Sequence, residues 1–165
     1  ECLATLSPLA QGVFMAVMLD QPLQRRFFQR VAAADHHGYP GGLLDQSVRA
    51  AREAAQEPGL GAEERDLVVL AAVLFDLGTA HDPWLAHDRP RLEDPGRTTL
   101  APHPMTHRVL VTALQRHALR NTPLVSDLML LLQPAPPGET PRLAQLRERM
   151  NRAVVASWGG LSSPT

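Results

Sequence analysis

Lysine and isoleucine are absent from this sequence, and cysteine occurs once, at Cys2. A single cysteine excludes an internal disulfide framework and suits a reducing compartment, so a cytoplasmic location is expected. Aromatic residues make up only 4% of the chain, so a core has to be assembled mainly from Leu, Val and Ala. No apolar run reaches the roughly 18 residues of a membrane span. The first residues lack the basic start and cleavage site of a secretory signal. Neither sign of charge dominates: 16 basic against 17 acidic residues give a formal net charge of −1. The global basic balance of a dedicated nucleic-acid binder is therefore missing. Lys and Ile both use AT-rich codons, and their joint absence beside abundant Arg, Ala, Leu and Pro points to a GC-rich, bacterial genome. Such bias can turn Lys into Arg; it does not remove His.

What is present is helical. A length of 165 residues with 44% apolar content suits one domain spanning 1–165. The chain opens on Glu1 rather than Met, consistent with a piece of a longer protein. Ser7-Pro8, Thr122-Pro123 and Thr140-Pro141 each read as an N-cap followed by proline at the first helical position. Apolar residues at helical spacing predict helices from Pro8, from Pro22, over Leu43 to Gln56, over Ala62 to Leu77, over Pro104 to Leu119, from Pro123 and from Pro141. The stretch Leu67 to Leu77 is nearly all apolar, which predicts a central, buried helix. Alternating strand patterns are missing. The fold class expected is therefore all-α, a bundle of about six or seven helices. The segment His81 to Pro104 carries five prolines and no period, so it reads as a long loop.

Two segments carry the chemistry. His36-His37-Gly38-Tyr39-Pro40-Gly41-Gly42-Leu43-Leu44-Asp45-Gln46-Ser47 leads into the third helix, and Leu74-Phe75-Asp76-Leu77-Gly78 follows some thirty residues later. Together they resemble the HD-domain superfamily of metal-dependent phosphohydrolases. The likeness covers about Leu23 to Ala80, and the closest branch looks like the HD domains of TraI-like, conjugative relaxase proteins. The resemblance implies an HD-like helical bundle. It also implies a divalent metal held by a His on one helix, a His-Asp pair on the next and an Asp on a later helix. In such a site the metal lowers the pKa of a bound water and polarises a phosphoryl oxygen.

This sequence departs from that pattern at the ligands. Gln46 stands where the first His belongs, Phe75 replaces the His of the pair, and Thr79 replaces the Lys that follows. Asp76 is retained, and Asp127 matches the last Asp. Glutamine is a poor neutral oxygen donor and phenylalanine cannot coordinate. Losing even one outer partner of a metal site costs about 10–100-fold in affinity, so losing two ligands should cost more. The resemblance thus implies a vestigial pocket of Gln46, Phe75, Asp76 and Asp127, with no tightly held metal and no cofactor expected. A buried Asp76 without a partner would be costly; Gln46, the loop backbone or an arginine is the expected donor to it.

Histidines offer a rearranged site. His36 and His37 lie in the family loop, and His103 and His107 are one helical turn apart. With Asp76 and Asp127 they would make an alternative metal-dependent phosphohydrolase or nuclease. Surface and capping roles explain the same residues. Arg25, Arg26 and Arg30 on the second helix, and Arg142, Arg147, Arg149 and Arg152 on the last, read as solvated helix faces. The leading expectation is a non-catalytic HD-like module. By analogy with the relaxase branch it would act in conjugative or mobile-element DNA processing, with DNA or a processing protein as partner.

Overall fold

The computed structural model describes residues 2–30, 32, 39–80, 102 and 104–158. The described residues form seven α-helices and no strand. They are α1 (Pro8–Met18), α2 (Gln21–Gln29), α3 (Gly42–Ala55), α4 (Ala62–Leu74), α5 (Pro104–Leu114), α6 (Pro123–Leu131) and α7 (Pro141–Trp158). The all-α bundle read from the sequence is the fold observed. No described helix is long and apolar enough to cross a membrane.

Caps explain where the helices begin. The Ser7 hydroxyl accepts from the Ala10 amide at 3.3 Å, the Asp20 carboxylate from Leu23 at 3.1 Å, and the Thr122 and Thr140 hydroxyls from Val125 and Leu143 at 3.4 Å each. Each bond satisfies one of the amides a helix start leaves without an internal partner. α3 instead starts at Gly41, whose φ of 86° lies in the left-handed region. The Gly41 and Leu43 amides donate to the Gln29 and Arg30 carbonyls at 3.2 and 2.9 Å. The glycine turn thereby joins the end of α2 to the start of α3.

α4 is the central helix. Every residue from Leu67 to Leu74 is buried. A helix apolar on all sides has to be surrounded, and α3, α6, α7 and α1 surround it. On α3, the small residues Ala50, Ala51 and Ala54 are all buried. Small side chains let this helix approach α4 and α7 closely.

Two helices stop before their apolar spacing does. α4 ends at Leu74 rather than Leu77, and a 3-10 turn, Leu77–Ala80, follows. Here a side chain from another element takes over the helix end. The Thr106 hydroxyl on α5 donates to the Phe75 carbonyl and accepts from the Gly78 amide, both at 3.0 Å. α5 ends at Leu114 rather than Leu119. The His117 ring accepts from the Leu119 amide at 3.3 Å and Arg120 donates to the Gln115 carbonyl at 2.9 Å. These local bonds replace the helical ones and set another 3-10 turn, Ala118–Asn121.

Candidate functional site

The glycine turn before α3 and the capture of α4's end by Thr106 bring two polar side chains together inside the apolar core. Gln46, on α3, is 2% exposed, and Asp76, in the turn after α4, is 3% exposed. The Gln46 Nε2 donates to Asp76 Oδ2 at 2.7 Å. A carboxylate can only accept, so it fixes the glutamine with its NH2 toward Asp76. The other end of the amide, Gln46 Oε1, is buried and has no hydrogen-bond partner. Thr79 and Thr106 are buried nearby in the chain's fold, at 1% and 0% exposure. The Thr79 amide donates to the Asp76 carbonyl at 2.9 Å.

Phe75 lies next to Asp76 but belongs to the core; it is buried among the leucines and valines and contributes only its backbone to the polar cluster. Asp127 does not join. It sits on α6, where Arg142 Nη1 donates to it at 2.8 Å. The same arginine stands 3.7 Å from Glu64. Glu64 is in the first turn of α4, and Asp76 lies past its last turn. Ten residues of helix, about 15 Å, separate those two ends. Of the three residues expected around one pocket, Gln46 and Asp76 are bonded to each other, and Asp127 is paired with Arg142, which also stands near Glu64 in the first turn of α4. The reason is Arg142, which offers Asp127 a direct ion pair at the protein surface.

This donor set does not fit a divalent metal. Gln46 presents hydrogens, not oxygen, to the one carboxylate beside it. Phe75 has no donor atom, and Asp127 is elsewhere. Among the described residues no three His, Cys, Asp or Glu side chains group as ligands would. His36, His37 and His103, the histidines singled out for a rearranged site, lie outside the described residues. His107 is partly exposed on α5, beside Thr106 in sequence. Compared with protein-family models, with curated proteins and with solved structures, the chain matches none.

One residue of the Gly-rich loop makes a strong contact on the outer side of α3. The Tyr39 hydroxyl donates to Asp45 Oδ2 at 2.6 Å. That bond, followed by desolvation and the charge of Asp45, raises the phenol above its ordinary value, while Arg49 opposes the shift. Asp45 is exposed although the next residue, Gln46, is buried. One step along a helix turns a side chain by about 100°, so the loop meets the outer face of α3 and the polar cluster meets the inner one.

Sequence reasoning missed two polar residues that organise the structure. Thr106 is one. Arg147 on α7 is the other, and it is not the solvated arginine expected. It donates to the carbonyls of Leu130, Leu131 and Gln133 at 2.7, 2.8 and 2.6 Å and forms an ion pair with Glu139 at 2.7 Å. A signal existed for both. Thr106 falls in register with Leu110 and Leu114, and Arg147 with Leu143, Met150 and Val154, so each occupies a core position of its helix.

Proposed function

We propose that this chain is a non-catalytic, HD-like helical module, in which the place of a metal centre is taken by a hydrogen bond between α3 and the turn that ends α4. The observation that carries the reading is the buried contact of Gln46 Nε2 with Asp76 Oδ2 at 2.7 Å. It couples α3 to the end of α4, the same two elements an HD site would bridge with a metal. A hydrogen-bonded amide and carboxylate give the fold that joint without a cation. They provide no Lewis acid and no activated water, the two requirements of metal-assisted hydrolysis. The absence of the paired histidines, at Gln46 and Phe75, supports the same reading. A module of this kind acts by binding, and the relaxase-like resemblance makes a component of a DNA-processing assembly the proposed setting.

Elemental analysis and turnover test this. Protein purified without chelator is expected to carry far less than stoichiometric metal and to leave phosphodiesters, nucleotides and single-stranded DNA intact with manganese, nickel or magnesium present. Near-stoichiometric metal, together with turnover that disappears on Asp76→Ala, would overturn the reading in favour of a rearranged site. Restoring the ligands is the converse test. Gln46→His combined with Phe75→His should raise metal affinity by more than the two single changes added, because ligands of one site act together.

A further inference from the structure

Among the described residues, acids and arginines are unevenly distributed over the helices. Every ion pair among the described residues uses an arginine of α7. Arg142 meets Asp127 and Glu64, Arg147 meets Glu139, Arg149 meets Glu57, and Arg152 meets Glu57 and Glu148. The side built by α1, α2, α5 and the 3-10 turns that pack with them is different. It carries Arg25, Arg26, Arg30, Arg108, Arg116 and Arg120, none of which forms an ion pair with a described residue. The described acids on these elements are Asp20, which caps α2, and Asp76, which is buried; Asp66 of α4 accepts from the Ser7 amide at the start of α1.

The same side collects exposed apolar side chains. Of the eight large hydrophobic residues exposed among the described residues, Leu9, Met15 and Leu19 lie on or at the end of α1, Phe28 on α2 and Val111 on α5. Met15 and Leu19 are the most exposed of these, at 58% and 66%. They are one helical turn apart and so share one face. Val111 likewise lies one turn from Arg108 on α5. Cationic and apolar groups are thus interleaved over these helices, and Asp20 is the one exposed acid among their described residues.

We infer that the α1–α2–α5 side is a docking surface for an acidic, amphipathic segment of a partner protein. Charge complementarity selects the sign of the partner: arginines that form no ion pair with a described residue attract carboxylates. The apolar residues select its class. Cores of protein interfaces are enriched in Met, aromatic residues and Arg and depleted of Asp and Glu, which is the composition found here. A nucleic-acid backbone would engage the arginines but offer nothing to cover Met15, Leu19 and Val111. The sequence pI of about 6.7 also lacks the basic excess that such binding uses. The inference rests on the reading of the chain as a binding module, but its test involves no metal and no turnover, so the two can fail separately.

The experiment is fluorescence anisotropy on the full chain. The probe is a labelled, helix-forming peptide of about five turns, with glutamates along one face and leucines along the other. Micromolar binding that weakens as salt rises from about 50 to about 300 mM is expected. Arg25→Glu with Arg26→Glu should weaken it by tenfold or more, on the order of 1.4 kcal/mol. Met15→Ser with Leu19→Ser should weaken it at constant salt. Leu130→Ser with Val155→Ser, on α6 and α7, should leave it unchanged. All these positions are exposed, and circular dichroism verifies that each variant is folded. Absence of binding to this peptide would overturn the inference. So would equal binding of a glutamate peptide without leucines, or tighter binding of a DNA oligonucleotide of about 20 nucleotides, which would make the surface a nucleic-acid one.

Discussion

Two of the buried polar joints among the described residues differ in completeness. At one, Arg147 reaches from α7 into the end of α6 and uses its guanidinium on three carbonyls and on Glu139. At the other, Gln46 reaches from α3 to Asp76 and leaves Oε1 without a partner. The first is an all-donor group among acceptors that helix α6 would otherwise leave open at its C-terminal end. The second is a neutral amide that has to face a carboxylate with one end and apolar core with the other. A residue selected only to hold helices together would not carry an orphan acceptor, because an unsatisfied buried polar atom costs about 1–3 kcal/mol. The incomplete joint is the one at the position where the HD resemblance places a metal ligand; the complete one lies outside that resemblance.

Breaking the complete joint should have the largest effect. Arg147→Leu leaves Glu139 buried and unpaired and the α6 carbonyls open, so a loss of about 3–5 kcal/mol is expected in chemical denaturation. A loss below about 1 kcal/mol would mean that water replaces the guanidinium and that the two joints do not differ as described.

The incomplete joint should be weaker and should show coupling. Gln46→Leu removes a hydrogen bond to a charged group, a cost of about 1.5–3 kcal/mol. Combining it with Asp76→Leu should cost less than the two single changes summed, since no partner is then left behind. Strict additivity would show that the 2.7 Å contact contributes nothing of its own.

Thr106→Val is nearly the same in shape and removes only the hydroxyl. The Gly78 amide and Phe75 carbonyl lose their shared partner, with an expected cost of roughly 1–2 kcal/mol. Faster hydrogen exchange confined to the Leu77–Ala80 turn would locate the effect; uniform loss of protection would instead assign Thr106 to global packing.

The smallest effect is read at the edge of the site. The chain has a single tyrosine, so its ultraviolet titration reports Tyr39 alone. The phenol should ionise above its ordinary value because it donates to Asp45, and Asp45→Asn should bring it down. The sign for stability follows: the contribution of this bond is present below the ordinary tyrosine value and is lost as pH rises through the raised one. An unchanged titration in Asp45→Asn would show that the loop does not hold Tyr39 against α3 in solution.

The helices were legible in the sequence because their signals are local. Ser7, Thr122 and Thr140 cap as their types predict, the left-handed turn at Gly41 needs glycine, and the apolar run Leu67 to Leu74 could only be an enclosed helix. Gln46 was one of three donors expected for Asp76, beside the loop backbone and an arginine, and the structure forms that bond. The early ends of α4 and α5, the capture of Asp127 by Arg142 and the burial of Arg147 were decided in the tertiary structure. Each of these depends on a competitor that arrives from another part of the chain or from a side chain folding back, and a hydrogen bond or ion pair formed at close range outweighs the weak preference of a local pattern. Sequence determined which residues are polar at core positions; only the packing of α4 through α7 determined which of them found enough partners there.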